Sequence, residues 1–119
     1  MAKKEKKERN LLDLIPEKLC QATTNEEGKV TILAPRFKSK LGQKLFEPLV
    51  KNKYVKIHLD EIGTFVWNEI DGEKDVFELS ELLKKEFGEK VEPVYDRIGK
   101  FIAIMKVNGF IKLKEKGES

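Results

Sequence analysis

The chain has 119 residues, 39% hydrophobic and 38% charged, with 24 Lys+Arg against 21 Asp+Glu and a formal net charge of +3. That length reads as one small domain able to bury a core without disulfides or a metal, at a modest stability margin. Cys20 is the single cysteine and His58 the single histidine, which excludes a disulfide framework, a thiolate zinc site and any mechanism using two imidazoles. The opening MAKKEKKERN leads into no apolar run of signal-peptide or membrane-span length, so the expectation is a soluble cytoplasmic binding module rather than an enzyme.

In chain order, the Lys/Glu-rich first ten residues read as a flexible charged tail, and residues 115–119 as a second one. Residues 11–114 carry the domain. Leu19–Thr23 and Lys29–Leu33 are β-prone runs joined by Asn25-Glu26-Glu27-Gly28, whose Asn and Gly suit a hairpin connection. From Pro35 to Lys53, Phe37, Leu41, Leu45 and Leu49 recur every fourth residue among lysines, and Gly42 and Pro48 make this a broken helix or a packed loop. Tyr54-Val55-Lys56-Ile57-His58-Leu59 alternates strictly, so a strand puts Val55, Ile57 and Leu59 on one face and Tyr54, Lys56 and His58 on the other.

Asp60 is placed to cap a helix over Glu61–Ile70 that buries Ile62, Phe65, Val66 and Ile70. Asp75 and Glu78 have capping-box spacing and open a second helix burying Val76, Leu79, Leu82, Leu83 and Phe87, stopped by Gly88. Glu92-Pro93 starts a third helix that runs to Asn108 and ends at Gly109; Phe110–Leu113 is a short strand at best. The expected class is α+β and winged-helix-like, a three-stranded antiparallel sheet followed by a three-helix bundle.

Charge along this order is segregated. Arg36–Lys56 holds seven basic residues and one acidic, whereas Asp60–Glu92 holds four basic and eleven acidic, so the chain is dipolar rather than basic. No phosphate-cradling glycine loop, HExxH, Cys-x-x-Cys or G-x-S-x-G occurs. Asp60, Glu61, Asp71, Glu73 and Asp75 sit where caps and turns use carboxylates, and His58 reads as an exposed residue on the outward face of its strand.

The third helix carries more apolar surface than one core stripe needs. At 100° per residue, Val94, Tyr95, Ile98, Ile102 and Met105 form the core face, and Arg97, Phe101, Ile104 and Asn108 gather on an adjacent flank. Either the rest of the chain covers that flank or it forms a groove for a partner segment. If Tyr54–Leu59 is a sheet edge, its unpaired N–H and C=O groups can accept an extended peptide, and Lys53, Lys56 and Arg97 favour an acidic one.

The segment Leu59-Asp60-Glu61-Ile62-Gly63-Thr64-Phe65-Val66-Trp67, then Ile70-Asp71-Gly72, a capped Leu-rich helix and Asn108-Gly109-Phe110-Ile111-Lys112-Leu113, resembles the coenzyme PQQ synthesis protein D family over about His58 to Leu113. The resemblance implies a RiPP recognition element of three strands and three helices, without catalysis or cofactor. Such members bind the leader of a ribosomally made precursor peptide as an added strand between the third strand and the third helix, and present it to a modifying enzyme, commonly a radical SAM protein. Carried over by position, the peptide-binding residues are Tyr54, Val55, Lys56, Ile57, His58 and Leu59, with the helix residues Arg97, Phe101, Ile104 and Asn108 added from the wheel. The extension through about Pro16 and the basic insertion at 35–53 depart from the compact family pattern.

Two other classes compete. An adaptor would bind a folded protein through the insertion's apolar stripe, and removing the insertion would abolish that binding. A winged-helix nucleic-acid binder would use the third helix for recognition, but Glu92 and Asp96 at its start and the acidic block before it oppose a phosphate backbone. No nucleic acid and no membrane are therefore expected as partners.

Overall fold

The structure, a computed structural model, describes residues 11–35 and 54–117. Its elements in chain order are β1 (Ile15–Lys18), β2 (Gln21–Thr24), β3 (Val30–Pro35), β4 (Tyr54–His58), α1 (Glu61–Glu69), α2 (Val76–Phe87), α3 (Val94–Val107) and β5 (Ile111–Lys114), with 3-10 turns at Leu11–Asp13 and Gly88–Val91. The class is α+β, as expected. The charged tail to residue 10 and the insertion with Phe37, Leu41, Leu45 and Leu49 lie outside the described residues. Contacts divide the chain into two compact units, one of residues up to Leu19 together with those from Phe65 onward, the other Cys20–Thr64.

In the Cys20–Thr64 unit, Asn25 sets the hairpin. Its Oδ1 accepts the N–H groups of Glu27 and Lys29, each at 2.9 Å, and Gly28 takes φ +84°, where a side chain would be strained. The turn sets a register of Thr24 opposite Val30 and Ala22 opposite Ile32. β4 joins the far side of β3 antiparallel, with Ile57 opposite Ile32 and Val55 opposite Ala34, in a sheet ordered β2-β3-β4. One face thereby collects Val30, Ile32 and Ala34, all buried, together with Val55 and Ile57. Full burial of Ile32 alone is worth about 1.5–3 kcal/mol. Asp60 Oδ1 accepts the Gly63 N–H at 2.8 Å, which caps α1, and Thr64 Oγ1 accepts the buried Val30 N–H at 2.9 Å.

The second unit is built on α2 and α3. Asp75 makes the reciprocal box with Glu78: its Oδ1 accepts the Glu78 N–H at 2.8 Å, and Glu78 Oε1 accepts the Asp75 N–H at 3.1 Å. Gly88, at φ +62°, closes the helix by donating its N–H to Lys84 O. Val76, Leu79 and Leu83 of α2 and Val94, Ile98, Ile102 and Met105 of α3 are buried, with Val66, Trp67, Ile70 and Val91. Asn108 caps α3, and the Phe110 N–H returns to Met105 O at 2.9 Å, turning the chain into β5.

Three expectations need correction. Beyond the three-stranded sheet there is a second one of two strands, because Ile15 and Pro16, read as the end of the N-terminal extension, form β1 with Glu17 and Lys18 and pair antiparallel with β5, Ile15 opposite Lys114 and Lys18 opposite Ile111. Ile15 and Pro16 are buried, so this strand is part of the core. Leu19, expected in the first hairpin strand, lies outside it and is 54% exposed, its N–H bound to Phe110 O. Tyr95, assigned to the core face of α3, is 43% exposed because its hydroxyl reaches out to donate to Glu81 Oε2 at 3.0 Å.

Candidate functional site

β4 is an edge strand among the described residues. The Leu59 N–H donates to Val30 O, and Leu59 lies opposite Val30 by the register of the pair, so these two residues sit at a bonded position of the ladder, with the Val30 N–H itself taken by Thr64 Oγ1. Alternation then turns the N–H and C=O groups of Ile57 and Val55 toward β3, and those of Lys56 and His58 toward the open edge. The hairpin fits the same pattern: Asn25 and Lys29 are bonded opposite each other, so β3 uses Thr31 and Leu33 toward β2 and keeps Val30, Ile32 and Ala34 for β4. Among the described residues no strand pairs with those outward groups of β4.

The β4 side chains fall as the alternation predicted. Ile57 and Leu59 are half-buried, Val55 is 39% exposed at the strand's start, and Lys56 and His58 are exposed. On the outward face Thr31 Oγ1 and His58 Nδ1 share a hydrogen bond of 2.9 Å, whose direction follows the ring's tautomer. Lys56 has no hydrogen bond or ion pair among the described residues. Tyr54 lies in the strand by its backbone.

On α3 the flank read from the wheel is open. Ile104 is 60% exposed, Arg97 and Asn108 are exposed, and Phe101 is half-buried at the border with the core stripe. Asn108 is partly spent on the helix end, its Nδ2 donating to Ile104 O at 2.8 Å, whereas the Arg97 guanidinium has no partner among the described residues. Asp96 pairs with Lys100 at 3.2 Å, leaving Arg97 as the cation beside the apolar strip. Val107, 80% exposed, lies on the same helix outside that flank and was not singled out from sequence. Its signal was legible, since it is an apolar helix residue lying on neither the core stripe nor the flank.

Of the carboxylates reserved for structure, Asp60, Asp71 and Asp75 are occupied there. Asp71 Oδ1 accepts the Glu73 and Lys74 N–H groups, and Oδ2 meets Lys74 Nζ at 2.8 Å; the side-chain bond from Lys74, then the two backbone bonds, hold this carboxyl well below the usual range. Glu17 is likewise lowered by Lys114 and Lys112, which fasten β1 to β5. Among the described residues no group of His, Cys, Asp or Glu could hold a metal ion, and no helix is long and apolar enough to cross a membrane.

The profile of the family described as coenzyme PQQ synthesis protein D (PqqD) matches residues 49–111, more than half of the chain. The chain belongs to the PqqD family. The match takes in β4, all three helices and the start of β5, and leaves out β1, β2 and β3. Comparison with curated proteins and with solved structures produced no match. Membership in the PqqD family supports, in general terms, the role of a peptide-binding partner in PQQ-type synthesis.

Proposed function

We propose that this PqqD-family protein binds the leader segment of a ribosomally made precursor peptide by strand addition and presents it to a modifying enzyme of the radical SAM type. The observation that carries the reading is the open edge of β4, where the N–H and C=O groups of Lys56 and His58 face outward from the sheet. An extended peptide satisfies those groups without displacing anything in β3, so backbone pairing supplies affinity and neighbouring side chains supply choice. The apolar strip of α3 with Arg97 is proposed as the second peptide-contacting surface, suited to a leader that combines apolar and acidic side chains. The protein acts by holding, with no catalytic step of its own.

The test is titration with the leader peptide of a precursor encoded beside this gene, followed by backbone amide NMR. Shifts concentrated on Tyr54–Leu59 and on Arg97–Asn108, with Kd below about 100 micromolar, equivalent to about −5.5 kcal/mol, support the proposal. Shifts confined to other elements, or no binding at that level, overturn it. Arg97→Glu is expected to weaken an acidic leader at least threefold, and an unchanged affinity removes Arg97 from the contact surface.

A further inference from the structure

Two aromatic rings on the α2–α3 face take no part in the leader-binding reading. Phe77 is 44% and Tyr95 43% exposed, and their rings stack with centroids 6.2 Å apart and planes 21° from parallel. A lone exposed aromatic is ordinary, but a stacked pair forms a continuous apolar platform in a unit whose core is already filled by Val76, Leu79, Ile98 and Ile102. The platform is edged by carboxylates. Glu81 accepts the Tyr95 hydroxyl at 3.0 Å, and Glu92 lies close enough to help raise the Tyr95 hydroxyl's pKa behind Glu81 and burial. The helical block around it is the acidic one, with eleven acidic and four basic residues over Asp60–Glu92.

A second observation shows which chemistry the platform takes. Lys84 Nζ already stands 5.8 Å from the Tyr95 ring centroid, so an ammonium from the protein's own helix occupies the π face, with Glu81 close by. An arginine stacks on such a ring better than lysine does and can pair with Glu81 at the same time. Lys84 is exposed and free to swing aside.

We infer that the Phe77–Tyr95 platform is a docking surface for a basic, arginine-bearing face of the peptide-modifying enzyme, separate from the surfaces that hold the leader. This rests on the proposed function, because it supplies the means by which a leader-bound protein is retained by its enzyme. Both aromatics lie outside the β4 edge and the Arg97–Asn108 strip, so enzyme docking and leader binding are separable by mutation.

The experiment uses the full chain and, as probe, the purified radical SAM enzyme encoded beside this gene, with Kd measured by titration at low and at raised salt. Phe77→Ala with Tyr95→Ala is expected to raise the Kd for the enzyme at least tenfold and leave the Kd for the leader within twofold; that unchanged leader affinity also reports that the variant is folded. Glu81→Lys with Glu92→Lys, which keeps both aromatic side chains and reverses the charge at their edge, is expected to weaken docking at low salt and to flatten its salt dependence. The inference is overturned if the enzyme does not bind the wild-type chain, or if neither pair of substitutions changes its affinity. A parallel loss of leader affinity in both pairs overturns it as well, since the platform is then not separate. If the leader fails to bind the wild type while the enzyme binds through the platform, the leader-binding proposal fails and this one stands.

Discussion

Asp75 shows at the scale of one residue how a local rule and a long-range contact act on the same atoms. Burial by itself favours its neutral form, yet the Lys116 ammonium, 2.8 Å from Oδ2, and the Glu78 N–H together hold its carboxyl below its ordinary value. A folded-state pKa below the unfolded one contributes stability that is complete above the ordinary carboxylate value of about 3.9 and is lost as pH falls through the lower folded value. Asp75→Asn keeps an acceptor for the cap and loses the charge. It is expected to lower stability by about 1 kcal/mol at pH 7. The gap to wild type should close in thermal melts as pH is lowered below 3, and a gap that persists there would assign the effect to the cap rather than to the charge. The sequence spacing revealed the box with Glu78; it contained no sign of Lys116, which arrives from beyond β5.

Among the elements, β4 makes the sharpest demand on backbone direction. Proline lacks the N–H a ladder needs, and it is tolerated on an edge strand where that N–H faces outward. Lys56→Pro is therefore expected to leave the β3–β4 pairing intact, with a melting temperature within a few degrees of wild type, and to raise the leader Kd at least tenfold. Ile57→Pro removes an N–H directed at β3 and is expected to destabilise the Cys20–Thr64 unit by about 3 kcal/mol. Amide exchange and leader titration on the two variants separate the outcomes, and equal effects from both would contradict the assigned direction of the ladder. The strict alternation of Tyr54–Leu59 made the two side-chain faces legible without coordinates. Which backbone groups remain free was not legible, because that depends on the register with β3. On α3 the 3.6-residue period separated the buried stripe from the Arg97–Asn108 flank but misassigned Tyr95, whose polar end follows Glu81 on another helix.

At the scale of the molecule, the N-terminal strand decides how the larger unit is closed. β1 pairs with β5, separated from it by most of the chain, and Leu14 O accepts the Val76 N–H at 2.9 Å at the start of α2. Deleting the residues through Lys18 exposes the buried Ile111 and leaves that N–H unpaired, at a cost of about 3–6 kcal/mol when apolar exposure and the lost hydrogen bond are combined. Against a typical domain stability of 5–15 kcal/mol this should lower the melting transition sharply, which circular dichroism would read; an unchanged transition would show that β1 is dispensable. A strand of four residues containing a proline carries almost no signal of its own, and its pairing lies nearly a hundred residues away in sequence. Composition, local spacing and the family motif were sufficient for the class, the hairpin turn, the caps, the three helices and the position of the Arg97–Asn108 flank on α3, because each depends on neighbours within one or two turns. The partner of β1, the ion pair at Asp75, the outward turn of Tyr95, the exposure of the α3 flank and the direction of the β4 ladder were decided by the tertiary structure, because each depends on a segment that local periodicity cannot locate.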